Sequence, residues 1–317
     1  MADVPRGKIL VIRGGAIGDF ILTLPVFDAL RAHFPHCSIE VLGYPRVTQP
    51  ALHFGAVDAA AFIDARPLAG FFARGATLDN AWQEYFFGFA IIVSYLYDPD
   101  EIFQENVKRS SAAQFIQGPH RPDEQLPIHA SRVFLKPLER LAIFDADSTP
   151  RLRMPPAPSG TSMLAVHPGS GSEKKNWPEQ KWSQLIGHWM TKTPWKLLLI
   201  GGEAEGDKLV RLTSGLPPDR FERLQNQPLT VVTGKLAACF GFIGHDSGIS
   251  HLAAAVGLPG VILWGGSNPD IWRPLHPSVS LIHAPHGLKN LPVEQVALAA
   301  EVFFKEWQAH RGKQAQG

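Results

Sequence analysis

The stretch Gly241–Gly265, GFIGHDSGISHLAAAVGLPGVILWG, constrains the fold of this chain more than any other. An apolar run to Gly244, a polar hinge His245-Asp246-Ser247-Gly248, an Ala-rich segment and a second apolar run predict strand, turn, helix, strand. That is a βαβ unit of a parallel sheet. Its hinge lies at the carboxyl edge of the strands, where a helix start presents free N–H groups and a positive dipole end to an anion. Phosphate binding is therefore the first functional expectation. His251 falls one turn into the same helix, on the face turned to such a ligand, although a lone histidine there is more often a packed residue.

The same grammar recurs along the chain. Lys8–Arg13 (KILVIR) is a buried strand, Gly14–Asp19 (GGAIGD) a Gly-rich turn, and Phe20–His33 a helix. Gly15 and Gly18 allow a ligand close approach to backbone in this cleft loop. The spacing is not G-x-G-x-x-G, and the strand Ser38–Leu42 ends in Gly43-Tyr44-Pro45 without the acidic residue of a dinucleotide site, so nicotinamide binding is disfavoured. Asp19 at the helix start reads two ways on residue type alone. It is a first-turn carboxylate that favours the dipole, or a base at the rim of the sheet able to take a proton from a hydroxyl. Further strands are expected at Ala61–Asp64, Phe89–Tyr95 and Gln114–Gln117, with helices near Val47–His53 and His129–Phe144.

Residues 148–162, rich in Pro and Ser, have no periodicity and read as a linker after an N-terminal domain over 1–147. A second domain over 163–291 follows, with a terminal helix and tail over 292–317. It opens with the strand Met163–His167, the polar loop Pro168–Lys175 (PGSGSEKK) and Asn176-Trp177-Pro178, with Pro178 suited to the first position of the helix Glu179–Met190. Ser170, Ser172, Lys174 and Lys175 give that loop hydroxyl and ammonium groups suited to a diphosphate, but it lacks P-loop spacing. Beyond the buried strand Lys196–Gly201, Glu203 or Glu205 stands where a carboxylate accepts ribose hydroxyls, or simply favours a helix start. Leu229–Ala238 is read as a short helix feeding the strand Phe240–Ile243.

Length and composition set the outer limits. A chain of 317 residues is comfortable for two domains, and 45% hydrophobic with 19% charged residues is ordinary for a soluble enzyme. A net charge of +1 excludes a nucleic-acid binder held by bulk electrostatics. Cys37 and Cys239 are far apart, which argues against a disulfide framework and for a reducing compartment. No targeting segment is recognised, and the longest apolar stretch, Tyr85–Tyr97, is below spanning length, so a cytoplasmic protein is expected. Phe71, Phe72, Trp82, Phe86 and Phe87 fill a core on the commoner reading. On the other they make peripheral contact with a lipid acceptor or the inner membrane surface.

Taken together, KILVIRGGAIGDFILTLPVFDALRAHFP, VHPGSGSEKKNWP, LLLIGGEAE and GFIGHDSGISHLAAAVGLPGVILWGGSNPDIWRP resemble glycosyltransferase family 9, the ADP-heptose:lipopolysaccharide heptosyltransferase family. The resemblance follows family order and spacing, thinning over residues 56–159. It implies an α/β GT-B fold, two Rossmann-like domains facing a cleft, and an inverting transfer that uses neither metal nor cofactor beyond the nucleotide-sugar donor, ADP-heptose. The donor would lie on the C-terminal domain and a glycan or glycolipid acceptor on the N-terminal one. It implies Asp19 as general base, Lys175 at the donor diphosphate and Glu205 at the ribose. Asp246, Ser247, Gly248 and His251 would hold sugar and phosphates, although a carboxylate repels a diphosphate, so Asp246 is expected to hold loop amides or a sugar hydroxyl. The chain departs from the family pattern at Gly265–Pro269, GGSNP in place of GPTDP, and at Asn176, where Arg or His is common. Two other classes share parts of the pattern. A non-catalytic nucleotide-sugar-binding protein would not need both Asp19 and Lys175, and a sugar-nucleotide epimerase of similar fold would need further acid/base groups that are not identifiable.

Overall fold

Strands with no polar face must be covered on both sides, and both halves of the chain are built on such strands. A computed structural model describes residues 7–155 and 161–314, and the chain divides into two compact units, Met1–Pro150 and Arg151–Gly317. The lead before Gly7, residues 156–160 of the expected linker and the tail beyond 314 lie outside the described residues. The division falls within that linker. Its Leu152 belongs to the second unit, buried and with its amide donating to the Ala255 carbonyl at 2.8 Å.

The first unit carries a parallel five-stranded sheet in the order β3-β2-β1-β4-β5. Its strands are β1 (Lys8–Arg13), β2 (Ser38–Gly43), β3 (Ala59–Phe62), β4 (Ile91–Ser94) and β5 (Gln114–Gln117). The helix expected over Phe20–His33 is two helices, α1 (Ile17–Ile21) and α2 (Leu24–His33). Pro25, in the first turn of α2, has no N–H to continue the ladder, so the chain restarts there. Pro137 acts similarly after α6 (Ala130–Leu135), where the expected long helix turns into the 3₁₀ segment Lys136–Leu141. Helix α3 (Pro45–His53) follows β2. Two helices had no counterpart in the sequence reading: α4 (Asn80–Phe87), capped by the Asp79 side chain, and α5 (Ile102–Lys108). The apolar run from Tyr85 thus divides at Gly88 between the end of α4 and β4.

The second unit holds a parallel six-stranded sheet in the order β11-β10-β9-β6-β7-β8. Its strands are β6 (Met163–Val166), β7 (Lys196–Gly201), β8 (Phe221–Gln225), β9 (Gly241–His245), β10 (Gly260–Trp264) and β11 (Val279–His283). They alternate with α7 (Glu179–Lys192), α8 (Lys208–Leu212), α9 (Leu229–Ala237), α10 (Gly248–Ala255) and α11 (Pro269–Trp272), and α12 (Val293–Gln314) closes the chain. The segment Leu229–Ala237 is helical despite its β-branched run, because Val232, Thr233 and Leu236 share its buried face. Pro178 is the cap before α7 rather than its first residue, with ψ 137° still extended. The core is aromatic. Trp177, Trp182 and Trp189 are fully buried, Trp177 and Trp182 meet edge to face at 5.3 Å, and Val296, Ala300 and Phe304 of α12 complete the packing. Among the described residues no helix is long and apolar enough to cross a membrane. Cys37 and Cys239 are free and lie in different units.

The aromatics of the first unit divide between core and surface. Phe71 and Phe86 are fully buried with ring centroids 4.9 Å apart, whereas Phe87 is 73% exposed and Phe72 46%. Phe71→Ala should therefore cost about 3–5 kcal/mol of stability, and Phe87→Ser less than about 0.5 kcal/mol. Urea denaturation of the two variants checks this, and equal losses would contradict the division.

Candidate functional site

Each sheet has one place where the strand order reverses, and its loops there open at the carboxyl ends of the strands, where doubly wound sheets take ligands. In the second unit that place lies between β6 and β9, paired in parallel at Leu164–Gly241, Ala165–Phe242 and Val166–Ile243. The loop after β6 carries Ser170, Ser172 and Lys175; the turn after β9 carries Asp246, Ser247 and Gly248. The pairing thus brings together residues far apart in sequence. Lys175 Nζ donates to Asp246 Oδ2 at 2.6 Å across 71 positions. Asp246 is nearly buried and also accepts from the Ser267 hydroxyl at 2.5 Å, while the Lys175 side chain stays 42% exposed. Of the two partners expected of Asp246, loop amides or a sugar hydroxyl, the first is replaced by a lysine and a serine. Ser267 belongs to the GGSNP loop, which sequence reasoning marked as a departure without assigning it a contact.

Ser247 is the N-cap of α10, its hydroxyl oxygen accepting from the Ser250 amide at 3.3 Å, and Gly248 is the first helical residue. The Ser250 hydroxyl donates to the His245 carbonyl, which ties the helix start to the strand end. His251 is buried within α10. Beneath the turn lie two buried histidines. His167 Nδ1 stands 3.2 Å from Ser247 Oγ. His245 Nε2 accepts from the Trp177 amide at 2.9 Å, so Nδ1 of the neutral ring bears the proton and donates to the Gly169 carbonyl at 3.2 Å. Burial pushes the pKa of His167 down to about 3, with His245 and Lys208 acting in the same direction. Burial likewise lowers His245 to about 4, partly opposed by its bond to Gly169.

The remaining expected residues have distinct settings. Ser170 Oγ lies 2.9 Å from the Ser172 carbonyl and 2.8 Å from Asn176 Oδ1, so its hydroxyl is engaged by the loop itself. Ser172 is exposed at the start of the 3₁₀ turn Glu173–Lys175. Glu205 is nearly buried, Oε2 accepting from the Gly202 amide at 2.6 Å. Its other oxygen covers Gly169 so closely that a Cβ there would meet it at 1.8 Å, which restricts position 169 to glycine. Glu205 also lines a cavity of about 770 Å³ with Asn176, Trp177, Lys208 and Lys289. Lys208, absent from the sequence reading, is a second cation near the buried histidines.

In the first unit the strand order reverses between β1 and β4, and the loop after β1 carries Asp19 there. Asp19 is the third residue of α1, its Oδ2 accepting from the Ala16 amide at 3.1 Å. Gly15, at φ +101°, provides the left-handed turn that brings this about, and a Cβ there would stand 3.0 Å from Asp19 Oδ2. Gly18 lies within α1, its carbonyl accepting from Leu22. Sequence reasoning passed over Arg13. Its buried guanidinium lies 4.3 Å from the Phe134 ring centroid, donates to the His120 carbonyl at 3.0 Å and approaches Asp19 Oδ1 to 3.7 Å. Burial lowers its pKa, while Asp19 and Tyr95 raise it. A basic residue closing the apolar run Ile9–Ile12 was the trace of this pair in the sequence.

A family model described as glycosyltransferase family 9 (heptosyltransferase) matches residues 138–296. Lipopolysaccharide heptosyltransferase 1 of Pseudomonas aeruginosa is 30% identical over 137 residues, 42% of this chain and 34% of that protein. The chain thus aligns with about a third of that relative's length. Lipooligosaccharide heptosyltransferase 2 of Haemophilus influenzae is 21% identical over 88% of this chain and 89% of its own. Among solved structures, E. coli heptosyltransferase WaaC with ADP superposes with a TM-score of 0.73 at 17% identity, covering 93% of this chain and 99% of that one. The likeness shows a common fold, the α/β GT-B class with two Rossmann-like units.

The buried histidines predict a pH dependence. Both are neutral when folded and titrate near pH 6.5 when unfolded, so below that value the unfolded chain binds more protons and stability falls. Each histidine should contribute a slope approaching about 1.4 kcal/mol per pH unit near pH 5, that of His245 falling off as the pH nears 4, and none above about pH 7.5. Denaturation of the second unit across this range, compared with His245→Gln, should show about one histidine's share of the slope removed by the substitution.

Proposed function

The chain belongs to glycosyltransferase family 9, and from that premise we propose that it is an inverting, metal-independent transferase. It moves a sugar, heptose from ADP-heptose, onto a hydroxyl of a lipopolysaccharide-core or related glycan acceptor. The observation that carries the donor half is the convergence of Lys175, Asp246 and the capped start of α10 at the reversal point of the second sheet. A lysine ammonium beside helix-start N–H groups is chemistry that meets a diphosphate. The choice of ADP is supported by the WaaC complex, which was solved with that nucleotide.

In this reading Asp19 takes the proton of the acceptor hydroxyl as the new bond forms from that oxygen to the anomeric carbon. The bond from that carbon to the diphosphate breaks on the opposite face, and the departing charge is met by Lys175, Ser247 and the amides at Gly248. Asp246 holds Lys175 in place and moderates its charge, so that product is not retained. Glu205 accepts the ribose hydroxyls, Ser172 and His251 complete the donor contacts, and the reaction needs no further cofactor. Cytoplasmic action on a lipid-linked acceptor, with exposed Phe72 and Phe87 near the membrane surface, belongs to the same reading.

Asp19→Asn should lower kcat by about 10²–10⁴-fold with ADP affinity largely kept, measured by transfer kinetics and calorimetry. Undiminished turnover would remove Asp19 from the mechanism. In a thermal-shift panel of ADP, UDP, GDP and ADP-heptose, ADP at a hundred times its Kd should stabilise by about 2.7 kcal/mol. A preference for UDP would overturn the donor choice.

A further inference from the structure

Most backbone bonds of the loop after β6 are its own, while its side chains reach outward, Lys175 to Asp246 and the buried Trp177 indole to the Leu291 carbonyl at 3.0 Å. The Lys175 amide donates to the Ser172 carbonyl at 3.0 Å, the Asn176 amide to the Glu173 carbonyl at 3.1 Å, and Ser170 bonds within the loop. These bonds shape its interior but do not fix it to the sheet. Its two ends meet at one side chain. His245 receives the Trp177 amide at the far end on Nε2 and donates from Nδ1 to the Gly169 carbonyl at the near end.

We propose that His245 is a positioning residue, a clasp whose single imidazole closes the loop 169–177 and thereby sets where Lys175 stands relative to Asp246. The chain geometry supports this directly. Asp246 follows His245, and Lys175 lies two residues before Trp177, so the clasp joins the backbones that carry the two members of the ion pair. The ring is completely buried and packs edge-on against Trp182 at 5.3 Å, which leaves it one orientation. A neutral ring alone serves as donor and acceptor at once, and burial keeps it neutral, with Asp246 and Lys208 the charged groups acting on it. A fixed loop presents its ammonium without reorganising when the donor arrives. That functional consequence rests on the donor reading proposed above; the clasp itself does not.

Two variants separate the parts. His245→Phe keeps a ring against Trp182 and removes both nitrogens, whereas His245→Gln keeps an acceptor that reaches towards the Trp177 amide. Hydrogen exchange of the Trp177 amide should accelerate at least about tenfold in His245→Phe and less in His245→Gln, as expected for a lost buried hydrogen bond. In His245→Phe the Kd for ADP should rise by about tenfold to a hundredfold while that for adenosine, which lacks the diphosphate, stays nearly constant. His245→Gln should recover part of the loss. Should His245→Phe fail to fold, the same comparison is read from His245→Gln against wild type. Unchanged Trp177 exchange would overturn the clasp. Faster exchange with an unchanged ratio of ADP to adenosine affinity, or equal losses for both ligands, would overturn the positioning role. A wild-type protein that binds no nucleoside diphosphate would overturn the donor reading and the positioning role with it, leaving the exchange result to decide the clasp.

Discussion

The parallel pairing of β6 with β9 is the constraint on which the rest of the candidate site depends. A parallel ladder leaves successive strands joined only through distant crossovers, so the loops meeting at its carboxyl edge come from widely separated sequence. Three paired positions bring Lys175 to Asp246 and His167 to Ser247. The pairing is stable because Leu164, Val166, Phe242 and Ile243 are completely buried. The polar groups above them are held by a scaffold with no polar side of its own. Displacing either strand by one residue would turn its core side chains to the other face and move both loops.

Charge explains the local design of that edge. An uncompensated carboxylate at Asp246 would oppose an anionic ligand, and an unrestrained lysine at position 175 would sample many rotamers before finding one. Bonded together at 2.6 Å, with Ser267 on the same oxygen, each relieves the other's difficulty. The pair has one partner well buried and the other 42% exposed. Its contribution to stability is consequently modest, and its consequence is mainly to orient the ammonium. The buried histidines below make the same point by a different route. Kept neutral by burial, they bond the loops together without adding charge at that edge.

Central strands and their hinges were legible in the sequence because a fully buried strand leaves an unbroken apolar run and a Gly-rich turn after it. The edge strands β3 and β5 of the first sheet were legible too, but those of the second sheet were not. Strands β8 and β11 each have one side unpaired and residues of intermediate or full exposure, so FERLQ and VSLIH carry little period of either kind. Helices α4 and α5 are short and set beside apolar strands, which hid their period. Of the candidate site, the residue types at Asp19, Lys175, Glu205, Asp246 and Ser247 could be singled out. Arg13, Lys208, His245 and Ser267 could not, since their roles arise from pairing across the sheet. The one-position difference at Pro178 has a smaller physical cause, because proline's fixed φ suits both the cap and the first helical turn.

Asp19 illustrates why a cap and a site need not be rival readings of one carboxylate. Its Oδ2 accepts from the Ala16 amide, a first-turn bond that stabilises α1. Its Oδ1 faces Arg13 at 3.7 Å, too far for a hydrogen bond but near enough for a charge to matter, and the side chain remains 28% exposed. The cap fixes the rotamer, while the guanidinium, held over Phe134 and bonded to the His120 carbonyl, stands beside the other oxygen. Cap and cation thus leave an oriented, partly exposed carboxylate at the reversal point of the first sheet. Gly15 is what allows it, since any other residue there would have to adopt φ +101° and crowd the same oxygen. The structural bond does not compete with the proposed proton transfer; it prepares the group that performs it.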